Sequence, residues 1–273
     1  MIKEKAYAKI NLALDVVGKR ADGYHDLKMI MMPVDLHDIL EFELSDHLTL
    51  VSNVEIDDNA IIHAAQKLKA LYKVQQGATI KLTKNIPIGA GLGGGSADIA
   101  ATLRGLNRLW ELKLKVNELE EIALSLGSDT LFCLYNKTAY VYGRGENLLY
   151  VHKPDIDEIY LVTSDISSST KTIFENHVIK YKDKQFDRVF KLYLNEKYNV
   201  FFNRTYNALL KTTLNQYPQL KDTYKTLKKI TKDVFMTGSG STFFILSINE
   251  KRDVLEEKLK EYGIQYIKTK PKT

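Results

Sequence analysis

A chain of 273 residues with 44% hydrophobic residues and a formal net charge of +5 has the length for two closely joined domains. No apolar run approaches the roughly 18 residues of a membrane span, and the N-terminal MIKEKAYAKINL lacks an apolar stretch followed by a small-residue cleavage site, so a cytoplasmic protein with no membrane contact is expected. The single cysteine, Cys133, excludes an internal disulfide, and the mild, dispersed positive charge gives no reading of nucleic-acid binding while suiting an anionic substrate.

In chain order, the pattern predicts strands over 4–17, 27–36, 38–44 and 47–52. A helix over 59–72 places Ile61, Ala65, Leu68 and Tyr72 on one face, with Asn59 as N-cap. A strand over 78–87 ends at Pro87, a glycine-rich loop follows, and helices run from about Ser96 to Trp110 and from Val116 to Leu126. Cys133 sits in the apolar LFCL and reads as a packing residue. Strands over 138–143 and 147–152 close the first half, with a soft boundary near 150–158. Beyond it come a strand over 158–164, helices near 184–195, 203–214 and 219–230, and a strand near 233–236. The glycine turn TGSGST leads to a strand over 243–248, a helix over about 250–262 and a last strand over 264–268. The terminal KTKPKT reads as a frayed, solvated tail. Strands and helices without a regular βαβ alternation argue an α+β fold.

The loop NIPIGAGLGGGSADIA holds five glycines between positions 89 and 95. Gly89, Gly91 and Gly94 match G-x-G-x-x-G, but that fingerprint belongs on the first strand of a parallel unit, and several strands precede it here. A Walker A loop is excluded because Gly95 stands where its lysine would be. The physical design is nonetheless that of an anion cradle: consecutive backbone N–H groups and a helix start favour a polyphosphate. Ser96 is placed to cap the helix, bind a phosphate or contact a metal. Three further features each have two readings. MTGSGSTFFIL is either a tight hairpin turn or a second backbone wall of the same site. Lys9 and Asn11 share one face of a strand whose other face carries Ala8, Ile10 and Leu12; the lysine is either solvated or functional. Asp129 follows the helix stop at Gly127 and is either the next cap or a reactive carboxylate.

The order A-K-I-N-L, P-I-G-A-G-L-G-G-G-S-A, L-G-S-D, T-G-S-G-S-T resembles the GHMP kinases, small-molecule kinases named for galactose, homoserine, mevalonate and phosphomevalonate. RADGYH after the AKINL strand, with DDNAIIHAA, GRGENL and SSTKTIF, resembles the branch that acts on a cytidine diphosphate-linked methylerythritol in non-mevalonate isoprenoid synthesis. The resemblance implies a ribosomal-S5-like ATP-binding domain over 1–153 and a ferredoxin-like domain over 154–273, a monomer or weak homodimer, with the active site in the cleft. It implies that the loop Pro87, Ile88, Gly89, Ala90, Gly91, Leu92, Gly93, Gly94, Gly95, Ser96 and Ala97 holds the phosphates of ATP with Mg²⁺, the ion carried mainly by ATP and touched at most by Ser96. It further implies that Asp129 takes the proton of the substrate's 2-hydroxyl and that Lys9 keeps Asp129 ionised and offsets charge on the transferring group. Asn11 would orient the polyol, with Gly238 and Gly240 beside the substrate, and Asn59 and Lys84 would flank the ATP nucleoside. Tyr24, His25 and Phe174 would clamp the cytosine, Tyr24 by stacking, His25 by hydrogen bonds and Phe174 on the opposite face. Thr130 and Leu131 stand where the family has Val-Pro after the aspartate, which leaves that turn less rigid. The rival functions are another GHMP kinase acting on homoserine or mevalonate, a nucleotide-binding protein without turnover, and an NAD-dependent oxidoreductase.

Overall fold

The computed structural model describes residues 1–55, 59–179, 185–248 and 252–272. In chain order the first elements are β1 (Ile2–Lys19), β2 (His25–Ser45), β3 (Leu48–Ser52), α1 (Ala60–Leu71), β4 (Gly77–Thr83), α2 (Gly94–Leu109), α3 (Val116–Leu126), α4 (Thr130–Tyr135), β5 (Ala139–Gly143) and β6 (Asn147–Tyr150). Then follow β7 (Ile159–Val162), α5 (Thr170–Glu175), α6 (Gln185–Leu194), α7 (Tyr198–Arg204), α8 (Leu210–Gln216), α9 (Pro218–Ile230), β8 (Val234–Met236), β9 (Phe243–Leu246), α10 (Arg252–Glu261) and β10 (Ile267–Thr269). The mixture is α+β, as the pattern predicts. The expected starts of helices at 184 and 250 lie outside the described residues. Two compact units divide the chain: Met1–Lys9, Leu36–Ile88 and Gly93–Asn136 form one, and Ile10–Asp35, Gly89–Leu92 and Lys137–Thr273 the other.

In the first unit β4 lies between the C-terminal half of β2 and β3. It pairs antiparallel with β2, Phe42 opposite Ile80, and parallel with β3, Leu50 opposite Ile80. Helix α1 buries Ile61, Ala65 and Leu68 at the expected helical spacing, but it ends at Leu71, so Tyr72 is its C-cap and is exposed. Helix α2 owes its close seat to small residues. Ala97, Ala100, Ala101 and Gly105 are buried, and a Cβ on Gly105 would lie 2.3 Å from the Phe42 ring. The two strands expected over 27–36 and 38–44 are one continuous β2. Asp38, the expected start of the second of those stretches, has its charge met by Lys84 and by the backbone N–H groups of Asn85 and Ile86.

In the second unit β5 pairs antiparallel with the N-terminal half of β2 and with β6. A separate four-stranded sheet has the order β10-β7-β9-β8, antiparallel throughout. The apolar runs IYLV of β7 and FFIL of β9 are buried at every position, which places them in the middle of the sheet. The helix expected over 203–214 is two helices. Between them Thr205, Tyr206 and Asn207 send side-chain bonds to Leu12 O, Asp15, Met236 O and Gly238 O, a local alternative to continuing the helix. Over its described residues, 268–272, the tail is not frayed. Asp35 N–H donates to Lys270 O at 2.8 Å, Lys272 N–H donates to Pro33 O at 2.9 Å, and Thr269 is buried in β10. Its lysines set the expectation of solvation, but backbone pairing along a sheet edge is indifferent to side-chain charge.

Candidate active site

The first unit holds Lys9, Asn59, Lys84, Pro87, Ile88, Gly93, Gly94, Gly95, Ser96, Ala97 and Asp129 among the expected site residues. Gly93 is the N-cap of α2 and is left-handed, φ +71°, a conformation that favours glycine. A Cβ there would lie 2.9 Å from Lys9 Cγ, so the helix start is pressed against the lysine stem. With Gly93 as the cap, Ser96 does not cap α2. The first turn, Gly94 to Ser96, has no carboxylate, which leaves the unpaired N–H groups and the positive end of the helix dipole to a negative ligand.

Lys9 is buried, although its strand would allow a solvated face, and its ammonium lies 3.4 Å from Asp129 Oδ2. Asp129 occupies the N-cap position of α4 but makes no capping bond; its carboxylate is partly open to solvent and is turned to Lys9. Behind it, Thr130 to Leu134 are all buried, and Arg104 donates to the carbonyls of Cys133 and Leu134 at 3.0 and 3.3 Å. The segment that follows Asp129 is thus fixed by burial without the proline expected there. Cys133 is a free, buried thiol, and burial pushes its pKa up, consistent with a packing role. Asn59 Oδ1 accepts the N–H of Ile61 at 2.9 Å, the expected cap.

Pattern reading missed a buried charge cluster. Lys84 Nζ lies 2.5 Å from Asp38 Oδ2 and 2.7 Å from Asp98 Oδ2, and all three side chains are nearly inaccessible. Asp98 Oδ1 is buried without a hydrogen-bond partner. Burial foremost, with the nearby Asp38 charge, pushes Asp98 up to about 7 against the pull of Lys84. The available signal is an aspartate inside the small, apolar run ADIAATL of α2.

The second unit holds Asn11, Tyr24, His25, Gly89, Ala90, Gly91, Leu92, Phe174, Gly238 and Gly240. Ala90 and Leu92 are buried, and a Cβ on the left-handed Gly91 would lie 2.5 Å from Gly240 O. Thr242 N–H donates to Ala90 O at 3.3 Å. The turn over 237–242 joins β8 to β9, as its hairpin reading expects, and it also packs against the glycine segment. Asn11 Oδ1 accepts the N–H of Gly238 at 2.9 Å and the hydroxyl of Thr237 at 3.2 Å, so Asn11 holds this turn from its side chain.

The motifs RADGYH, GRGENL and SSTKTIF meet in this unit. The Arg144 guanidinium lies 4.7 Å over the Tyr24 ring, and Arg20 bridges Asp22, Asp26 and Glu146. The His25 and Phe174 rings face each other at 5.1 Å. Burial, then the Lys19 charge, holds His25 below the usual histidine range, so near neutral pH its imidazole presents one donor and one acceptor. His177, given no role by the pattern, is held below the usual histidine range by burial, and its Nδ1 is 3.0 Å from Thr212 Oγ1.

Residues 59–137 match the GHMP kinases N terminal domain. The chain is 39% identical over 256 residues to a 4-diphosphocytidyl-2-C-methyl-D-erythritol kinase of Geobacillus sp. (strain WCH70), covering 91% of this chain and 89% of that protein. It is 40% identical to one of Bacillus cytotoxicus over the same shares of both chains. The chain belongs to the 4-diphosphocytidyl-2-C-methyl-D-erythritol kinase family. The crystal structure of a 4-(cytidine 5'-diphospho)-2C-methyl-D-erythritol kinase, 25% identical, superposes with a TM-score of 0.78 over 100% of both chains. The α+β fold of this family member is thus the GHMP kinase fold. No helix among the described residues is long and apolar enough to cross a membrane.

Proposed function

We propose that the chain transfers the γ-phosphoryl group of ATP to the 2-hydroxyl of 4-diphosphocytidyl-2-C-methyl-D-erythritol. The observation that carries this reading is the buried Lys9, its ammonium 3.4 Å from Asp129 and its stem pressed against the glycine start of α2. Phosphoryl transfer asks a protein mainly for positioning and charge stabilisation, and this grouping supplies a base, a cation and a phosphate cradle. As the 2-hydroxyl oxygen forms its bond to the γ-phosphorus, its proton passes to Asp129, the bond from that phosphorus to the β–γ bridging oxygen breaks, and ADP leaves with the electron pair. Lys9 offsets the charge that develops on the transferring group. The loop over 87–97 holds the triphosphate, and Asn59 and Lys84 stand at its nucleoside side. Asn11, with Gly238 and Gly240, orients the polyol, and Tyr24, His25 and Phe174 hold the cytosine. On this reading residues 1–153 form the ATP-binding domain and 154–273 the second domain.

Among the described residues no group of three or more His, Cys, Asp or Glu side chains is placed to hold a metal ion. The donor present, the Ser96 hydroxyl, fits an ion that arrives on ATP and keeps most of its shell from phosphate and water, as Mg²⁺ does. When bound, Mg²⁺ neutralises phosphate charge. A coupled ADP-release assay with the cytidine-linked methylerythritol, homoserine and mevalonate tests the reading. Turnover is expected with the first alone; turnover with homoserine or mevalonate in its place overturns it.

A further inference from the structure

The segment over 87–93 joins β4 to α2, and both of its ends are held by one buried relay. At the leading end, Asp38 Oδ1 accepts the N–H groups of Asn85 and Ile86 at 2.6 and 2.7 Å. Asp38 Oδ2 lies 2.5 Å from Lys84 Nζ, and that ammonium reaches Asp98 Oδ2 at 2.7 Å, on the fifth residue of α2. The relay thus runs from backbone just before the loop, through Asp38, Lys84 and Asp98, to the helix just after it. The lysine also abuts the helix start: a Cβ on Gly94 would lie 3.0 Å from Lys84 Nζ. The three side chains are withdrawn from water, which makes the links strong and keeps salt from screening them.

We propose that Asp38, Lys84 and Asp98 form a clasp that closes the base of the phosphate loop, with Asp98 a positioning residue for ATP. The inference rests on the reading of that loop as the ATP site. Glycines let the loop adapt to a phosphate, and any freedom left at its two ends must be lost when ATP binds. Fixing both ends beforehand lowers that cost. Lys84, its ammonium engaged by two carboxylates, closes the loop from the same place at which it flanks the nucleoside. Two carboxylates share one ammonium, so removing Asp98 leaves a balanced Lys84–Asp38 pair, whereas removing Lys84 leaves two buried carboxylates facing each other. Asp98 is therefore the member to change.

The test uses Asp98→Ala in the full chain at pH 8, with Asp98→Asn, which retains a hydrogen-bond acceptor, as the conservative variant. KM for ATP is expected to rise roughly tenfold in Asp98→Ala, the effect of losing one buried charge-assisted link. The rise should be smaller in Asp98→Asn, with kcat and KM for the alcohol substrate within twofold in both. Amide hydrogen exchange over 87–96, measured without ligands, is expected to quicken by a similar factor while the β4 amides keep their protection. An unchanged KM for ATP, an equal rise in both KM values, or unchanged loop exchange in a folded variant overturns the clasp. If Asp98→Ala does not fold, the same readings on Asp98→Asn decide. Absence of ADP release by the wild-type chain with any of the alcohols would instead refute the kinase reading, and loop exchange would then judge the clasp alone.

Discussion

Asp98→Asn makes a thermodynamic test of the buried cluster. Burial pushes the Asp98 carboxyl up to about 7 in the folded chain, against 3.8 for an unhindered aspartate. A carboxyl whose folded pKa is raised binds its proton more tightly in the native state than in the unfolded one. Its contribution to stability is greatest below the unfolded pKa and is lost as pH rises from about 4 to about 7. At about 1.36 kcal/mol per unit, the loss between pH 5 and pH 8 is on the order of 3 kcal/mol. Asparagine is neutral throughout and escapes the loss. Relative to wild type, the variant should therefore gain on the order of 3 kcal/mol between pH 5 and pH 8, read from urea unfolding midpoints with m unchanged. Comparing the two chains cancels the titrations they share. A stability difference that is flat over this range, or that moves the other way, would show Asp98 to be ionised throughout and held by Lys84 outright. If the clasp also holds, Asp98→Asn binds ATP less well at pH 8 while resisting urea better, a combination that loosened packing does not produce.

Asp129→Asn keeps shape and removes basicity, so single-turnover rates with both substrates saturating should fall roughly 100- to 10,000-fold while ATP binding persists; a rate within threefold of wild type removes Asp129 from the mechanism. Lys9→Ala should cost a comparable factor, and the double variant should lose far less than the product of the two, since both serve one unit. His25→Ala should raise KM for the cytidine-linked substrate by the equivalent of about 1–3 kcal/mol and leave KM for ATP alone; an equal rise in both makes His25 structural. Gly105→Ala gains about 1 kcal/mol of helix propensity, but its methyl would lie 2.3 Å from the Phe42 ring, so calorimetry should find a net loss of about 1–3 kcal/mol.

The legible parts of the molecule were those written in local chemistry. Periodicity gives α1 and its buried Ile61, Ala65 and Leu68, and the density of glycine marks the segment before α2. What escaped is long-range. Nothing local in RTYNAL says that Thr205 and Asn207 bond to residues far away in sequence and so end a helix. The C-terminal lysines looked solvated because charge is visible in sequence and edge pairing is not. Asp38 and Asp98 stand 60 positions apart, and although Asp98 sits in an apolar run, nothing local links either aspartate to Lys84 until the chain folds. The motifs mark Lys9 and Asp129, yet their 3.4 Å approach also depends on tertiary packing.

The chain's only sulfhydryl, Cys133, is buried on the short helix that begins directly after Asp129. Burial keeps it protonated and out of reach of alkylating and disulfide reagents while that helix is in place. The protein therefore carries its own probe of local opening at the segment that bears Asp129. Under native conditions the labelling rate of this single thiol, followed by mass, reports how often the helix unlatches, with no cysteine to remove and none to add. A nucleotide that orders this region should slow the labelling in step with its occupancy, which turns a packing residue into a binding assay.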